Sequence, residues 1–177
     1  NWESDACTRS LQVAVNVSAR QFRQADFVEQ VKRSLKASGA NPARLKLELT
    51  ESVLLKNVED TIAKMLAIKR LGVAFSLDDF GTGYSSLSYL AQLPLDQLKI
   101  DQSFVRKLPG ARKEETIART IITMGRELDM NVIAEGVESE AQRQFLEAHG
   151  CHAFQGYLFS RPLPVEHLTV FLQEADR

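Results

Sequence analysis

The chain has 177 residues and a formal net charge of −1, with 44% hydrophobic and 25% charged residues. This composition is typical of an ordinary globular domain with a sizeable core, and the near-neutral charge gives no reason to expect attraction to nucleic-acid polymers or membrane surfaces. No stretch of the sequence is long and apolar enough to span a bilayer. Cys7 and Cys151 form neither a close-spaced metal motif nor a disulfide framework, so we expect a reducing, cytoplasmic environment.

Strands and helices are predicted to alternate along the chain. Short runs of aliphatic and β-branched residues predict strands over residues 11–17, 45–49, 73–77, 95–100, 131–134 and 150–154. Apolar residues at helical spacing predict helices over residues 27–38, 58–71, 85–91, 114–128, 141–148 and 165–175. Gly39 and Gly72 are placed to end the first two helices. Alternation of this kind predicts a parallel sheet covered by helices.

Two architectures fit this alternation: a (β/α)8 TIM-like barrel and an open, doubly wound sheet. Polar side chains distinguish them, because one or two polar residues close each predicted strand. An open sheet gathers its functional groups near one switch point, whereas a barrel brings every strand end to a single mouth. The pattern therefore favours an α/β fold of the TIM-like barrel class.

The number of predicted units bears on how much of a barrel the chain holds. A (β/α)8 barrel typically has about 250 residues, whereas about six strand–helix units are predicted here, and the chain begins at Asn1 without an initiator Met. We therefore expect residues 1–177 to form a single barrel-type domain whose first strands lie upstream. We also expect these residues alone to be inactive and prone to associate through two unpaired strand edges.

Two adjacent carboxylates, Asp78 and Asp79, follow a predicted buried strand and precede a loop that contains Gly81 and Gly83. Neighbouring carboxylates in such a place repel each other and are costly to desolvate. A hard divalent cation removes that cost, because Mg²⁺, Mn²⁺ and Ca²⁺ prefer oxygen ligands. For an Asp-Asp pair taken alone, the plainer interpretation is a solvated acidic turn.

Six motifs follow one another along the chain: Asn16-Val17-Ser18-Ala19-Arg20-Gln21-Phe22, Glu48-Leu49-Thr50-Glu51, Asp78-Asp79-Phe80-Gly81-Thr82-Gly83-Tyr84-Ser85-Ser86-Leu87, Lys99-Ile100-Asp101, Ala134-Glu135-Gly136-Val137-Glu138 and Gln155-Gly156-Tyr157. In this order the chain resembles the EAL domain, a family of cyclic di-GMP phosphodiesterases. The resemblance covers nearly the whole chain, from about Val13 to the last helix. The Glu-Ala-Leu motif that names the family is absent, because in the family it lies upstream of the first of these motifs.

The resemblance implies a modified TIM barrel that hydrolyses cyclic di-GMP to the linear dinucleotide pGpG in bacterial second-messenger signalling. It implies a two-metal site for Mg²⁺ or Mn²⁺, with Ca²⁺ inhibitory. It also implies a homodimer, upstream sensory or GGDEF-type domains, and a full-length protein that is cytoplasmic or anchored to a membrane. A catalytically inactive receptor of cyclic di-GMP is the alternative function, and an inactive fragment is another.

The candidate metal ligands follow from the chemistry of their donor atoms. Asn16 offers an amide oxygen and Glu48 and Asp78 offer carboxylates, which suit one cation. Asp78 could bridge to a second cation completed by Asp79 and Glu135, and the resemblance implies the same distribution. Taken singly, Asn16 is more often a turn or capping residue, and Glu48 could be a surface salt-bridge partner.

Lys99, at a strand end beside Asp101, is a candidate catalytic residue. It could orient or deprotonate an attacking water if nearby cations and partial burial lower its pKa, although a lone lysine is most often solvated. The resemblance places Lys99 and Glu135 near that water and leaves open which of them is the base. It also implies that Asp101 and Gln155 bind substrate and that Glu51 anchors the loop after the Asp-Asp pair.

Overall fold

The computed structural model describes residues 8–53, 57–81 and 87–175 of the chain. The strands in these ranges are β1 Val13–Val17, β2 Leu45–Thr50, β3 Ala74–Phe80, β4 Gln97–Ile100, β5 Asn131–Glu135 and β6 Ala153–Gln155. The helices are α1 Ala19–Phe22, α2 Phe27–Ser38, α3 Val58–Lys69, α4 Leu87–Leu90, α5 Gln102–Val105, α6 Arg112–Glu127, α7 Glu140–Ala148 and α8 Val165–Ala175. Within the described ranges, every helix is too short or too polar to cross a bilayer.

The strands form one parallel sheet in which spatial order equals chain order, from β1 at one edge to β6 at the other. A doubly wound sheet would reverse direction at a switch point, and this sheet does not, so the open-sheet alternative is wrong. Because parallel crossovers are right-handed, each unit adds its strand on the same side of the last one. The sheet therefore curls into part of a TIM-like barrel, as predicted.

The apolar core and the polar residues occupy opposite faces of the curled sheet. Leu47 and Leu49 on β2 and Phe75 and Leu77 on β3 are buried in one cluster with apolar residues of the helices. Side chains alternate between the faces of a strand, so the residues between these point to the other face, into the barrel. The sequence places polar side chains there, on the inner face, which is where the site lies.

The boundaries of several elements differ from the predicted ones for local reasons. Strand β6 begins only at Ala153, because the Cys151 amide donates to the Leu146 carbonyl at the end of α7, at 3.0 Å, rather than to the sheet. Two short helices were not predicted. Helix α1 begins at a capping box in which Ser18 and Gln21 satisfy each other's backbone amides, and α5 begins at a cap formed by Asp101.

Gly156 allows the end of β6 to approach the segment after β5. A Cβ atom at Gly156 would lie 2.1 Å from the Val137 carbonyl oxygen and 2.3 Å from the Val137 amide nitrogen. Hydrogen bonds already join these segments, from the Val137 amide to the Gln155 carbonyl at 3.1 Å and from the Leu158 amide to the Val137 carbonyl at 3.0 Å. A methyl group at this position would have to displace backbone rather than a flexible side chain.

We therefore expect Gly156→Ala to lower the free energy of unfolding by about 3 kcal/mol, as measured by urea denaturation. Gly39→Ala is the control, because Gly39 has a left-handed φ of 68° but open space around its missing Cβ. The control variant should lose only about 1 kcal/mol. Equal losses in the two variants would contradict the role given to the close approach.

Candidate functional site

Lys99 lies among three carboxylates on the inner face of the sheet. Its Nζ lies 2.6 Å from Glu135 Oε1, 2.9 Å from Glu48 Oε2 and 3.2 Å from Asp78 Oδ1. The four side chains come from four consecutive strands, β2 to β5, and we refer to them as the Lys99 cluster. Only 4% of Lys99 and 9% of Glu48 is exposed. The plainer interpretations of these two residues, a solvated lysine and a surface salt bridge, are therefore wrong.

Asp78 and Asp79 both reach this cluster, although neighbouring residues of a regular strand point to opposite faces. The register between β3 and β4 shifts between Leu77 and Phe80, and Asp79 has a left-handed φ of 56°. As a result, ligand oxygens of Asp78, Asp79 and Glu135 all lie within 4.8 Å of one another. Clustered carboxylate oxygens are the donor set that hard divalent cations prefer, so these three residues fit such an ion.

Burial and charge act on the titratable groups of the site in opposite directions. Burial alone would lower the pKa of Lys99, but its hydrogen bonds to Glu135 and Glu48 outweigh burial and raise it. Burial raises the pKa of Glu135, and the contact with Lys99 offsets this only in part. For Asp79, burial and then the charges of Asp78 and Asp101 raise the pKa. Hydrogen bonds to carboxylates therefore favour the ammonium form of Lys99, and its role toward an attacking water stays a prediction.

Asn16 and Gln155 lie on the two edge strands, β1 and β6. In the sheet register, Asn16 is the neighbour of Glu48 and Gln155 is the neighbour of Glu135. Both side chains are exposed. They therefore flank the Lys99 cluster on either side, on the same row of the sheet, without being buried in it.

Asp101 follows β4 directly and caps α5. Its Oδ1 accepts hydrogen bonds from the Ser103 amide, at 2.9 Å, and from the Ser103 hydroxyl. It also lies close enough to Asp79 to raise the pKa of that residue. The described contacts of Asp101 thus hold the end of β4 in place beside the Asp-Asp pair, while a substrate-binding role stays a prediction.

Glu51 fixes the backbone immediately after the Asp-Asp pair. Its Oε1 accepts a hydrogen bond from the Gly81 amide at 2.9 Å, and the side chain is buried in the turn that follows β2. Its second carboxylate oxygen is also buried and has no partner among the described residues. The hydroxyls of Thr82 and Ser85, in the loop after the Asp-Asp pair, are further candidate donors to Glu51, and both residues lie outside the described ranges.

The inner face carries a second polar layer that was not predicted from the sequence. Lys46, Ser76 and Gln97 stand two residues before Glu48, Asp78 and Lys99 on the same three strands. Lys46 Nζ and Ser76 Oγ both donate hydrogen bonds to Gln97 Oε1. The spacing of two along each strand was the available signal.

Comparisons with known proteins point to one family. The family model of the EAL domain matches residues 1–162. The chain is 46% identical over 163 residues to the cyclic di-GMP phosphodiesterase NbdA of Pseudomonas aeruginosa, covering 92% of this chain and 21% of that protein. The chain therefore spans about a fifth of the length of curated relatives such as this one.

Two sets of solved structures show the same likeness in three dimensions. The PaMucR phosphodiesterase in complex with c-di-GMP superposes with a TM-score of 0.85 at 42% identity, over 89% of this chain and 64% of that one. Klebsiella pneumoniae BlrP1, in complexes with cyclic di-GMP and either calcium or manganese, superposes with a TM-score of 0.78 at 32% identity, over 85% of this chain and 39% of that one.

Proposed function

The chain belongs to the EAL-domain family, and from this premise we propose that the protein carrying it hydrolyses cyclic di-GMP to linear pGpG. The observation that carries the proposal is the Lys99 cluster with Asp79 beside it, which groups carboxylates and one ammonium at a barrel mouth. In the reaction, a water oxygen bonds to one phosphorus atom, the bond from that phosphorus to a 3′ oxygen breaks, and a proton ends on that 3′ oxygen.

Divalent metal use is part of the proposal, with Mg²⁺ or Mn²⁺ as the resident ions and a two-metal site as the arrangement. Asp78, Asp79 and Glu135 would hold one ion, and Glu48 with Asn16 and Asp78 would hold the other. The oxygen-only donor set and the close grouping of Asp78, Asp79 and Glu135 support this assignment. When bound, the ions would stabilise charge on the phosphodiester and activate the attacking water.

Lys99 and Glu135 are proposed to handle the attacking water and its proton. Lys99 Nζ lies within 3.2 Å of oxygens of Glu48, Asp78 and Glu135, where it can donate a hydrogen bond to a water held beside them. Glu135 Oε1 lies 2.6 Å from Lys99 Nζ, so the two side chains are placed to act on the same water. Asp101 and Gln155, on either side, are proposed to contact the substrate.

An assay of the intact natural polypeptide tests the proposed function. It is incubated with cyclic di-GMP and Mn²⁺, Mg²⁺ or EDTA, and pGpG is quantified by liquid chromatography. We expect one pGpG for each cyclic di-GMP consumed with either metal, and none with EDTA. Turnover in EDTA would contradict the metal assignment, whereas tight binding of cyclic di-GMP without any pGpG would favour the receptor alternative.

Substitution of Glu51 tests whether the position of Asp79 matters for turnover, because Glu51 is not itself a proposed metal ligand. Glu51→Ala frees the Gly81 amide, which should loosen the loop and misplace Asp79, so we expect turnover to fall about 10- to 100-fold, as for other residues that orient metal ligands. Glu51→Gln keeps an oxygen for the Gly81 amide and should lose less activity. A crystal structure of Glu51→Ala with Asp79 and the loop in their original positions would count against this role.

Two proposals concern the context of the domain, and both rest on family membership. We propose that it acts in the cytoplasm as a homodimer, and that sensory or GGDEF-type domains regulate it within a longer polypeptide. Light scattering of the natural polypeptide with and without cyclic di-GMP tests dimerisation, and a monomer under both conditions would contradict that proposal.

A further inference from the structure

A second polar layer lies below the Lys99 cluster, towards the amino-terminal ends of the strands. Lys46 on β2, Ser76 on β3 and Gln97 on β4 each precede a member of the Lys99 cluster by two residues. Residues two apart on a strand point to the same face, with about 7 Å between their Cα atoms. The inner face therefore carries two polar layers on the same three strands.

The lower layer is joined by its own hydrogen bonds. Lys46 Nζ donates to Gln97 Oε1 at 3.0 Å, and Ser76 Oγ donates to the same oxygen at 3.2 Å. Ser76 is fully buried, and Lys46 and Gln97 are half-buried. Gln97 thus fixes the position of the Lys46 ammonium from the strand that also carries Lys99.

The hydrogen-bonded partner of Lys46 in this layer is the neutral amide of Gln97, which positions the ammonium without neutralising it. Burial lowers the pKa of Lys46, and attraction to Glu48 and Asp96 partly offsets this while Lys99 repels it. Glu48, two residues further along β2 on the same face and about 7 Å away between Cα atoms, lies within range of the charge on Lys46. A divalent cation held by the Lys99 cluster would feel the same positive charge.

We propose that Lys46 is a positioning residue. Its ammonium group, which is hydrogen-bonded to Gln97, lowers the affinity of the Lys99 cluster and Asp79 for divalent cations. The inference rests on the proposed function, since it needs metal ions at these carboxylates. At a separation of about 7 Å, Coulomb repulsion between a lysine and a divalent cation is substantial even at the effective dielectric constant of a protein surface. Lys46 would therefore keep the metals exchangeable rather than permanently bound.

The test measures Mn²⁺ affinity of the intact natural polypeptide by isothermal titration calorimetry, without substrate. Lys46→Met removes the charge, and Lys46→Arg keeps it. Lys32→Met is the matched control, because it removes the same charge from the exposed side of α2, where Lys32 Nζ lies 2.6 Å from Glu29 Oε1. Circular dichroism establishes that each variant is folded, and Lys46→Gln replaces Lys46→Met if the latter does not fold.

We expect Lys46→Met to bind Mn²⁺ about tenfold more tightly than the wild type. Lys46→Arg and Lys32→Met should bind Mn²⁺ within about twofold of the wild-type affinity. An affinity of Lys46→Met no different from that of Lys32→Met would overturn the inference while leaving the proposed function intact. A wild type that binds no Mn²⁺ would overturn the metal site of the proposed function, and the inference with it.

Discussion

Replacing Asp78 by Asn is expected to reduce hydrolysis of cyclic di-GMP at least 10³-fold. Asp78 would contribute a carboxylate to both proposed cation sites, and its Oδ1 lies 3.2 Å from Lys99 Nζ. A neutral amide cannot balance two cations, and loss of several kcal/mol of transition-state stabilisation corresponds to about three powers of ten in rate. Steady-state kinetics of the intact natural polypeptide with Mn²⁺, together with Mn²⁺ titration, measure both consequences.

Asp60→Asn is the control for this substitution, because Asp60 lies on the outer helix α3, half-exposed and paired with Lys64. It should leave turnover within about twofold of the wild type, as expected for a surface change. Wild-type turnover in Asp78→Asn would remove Asp78 from the metal site.

Replacing Lys99 by Ala should lower turnover by about 10²-fold or more, which is the usual contribution of a group that positions or transfers a proton. Binding of cyclic di-GMP, measured by calorimetry with Ca²⁺ in place of Mg²⁺, should change much less. The variant also leaves Glu48, Asp78 and Glu135 without their shared ammonium. We therefore expect it to be less stable than the wild type in EDTA and to recover stability when Mn²⁺ is added.

The two measurements on Lys99→Ala separate its possible roles. Equal losses in affinity and turnover would make Lys99 a phosphate contact rather than a residue that acts on the attacking water. Unchanged stability in EDTA would show that the three carboxylates do not depend on the ammonium.

The fold could be predicted because its rule is local. Alternating strand and helix patterns, with a polar residue closing each strand, are enough to favour a singly wound parallel sheet, and the strand order confirms it. The boundaries were less predictable, since they depend on single hydrogen bonds between elements. The Cys151 amide, for instance, donates its hydrogen bond to Leu146 at the end of α7 and not to the sheet. The sequence near Cys151 does not indicate this.

The site could be predicted only in part, because a strand pattern does not say which face is the interior. Along β2, leucines alternate with Lys46 and Glu48, a pattern that in an antiparallel sheet places the polar face in solvent. In this sheet the leucines pack against the helices and the polar face lines the barrel. Glu48 was predicted through its motif, whereas Lys46 belongs to no motif and only its spacing of two from Glu48 indicated that it shares the inner face.

The left-handed backbone at Asp79 has a consequence for mutational scanning. Asn and Asp adopt this conformation more readily than most residues, and Ala pays about 1 kcal/mol for it. Asp79→Ala would thus remove a carboxylate and also disfavour the turn that lets Asp78 and Asp79 share one face. An alanine scan would attribute both effects to the loss of a metal ligand. Asp79→Asn removes only the charge, and Asp79→Gly removes the side chain without disfavouring the left-handed backbone.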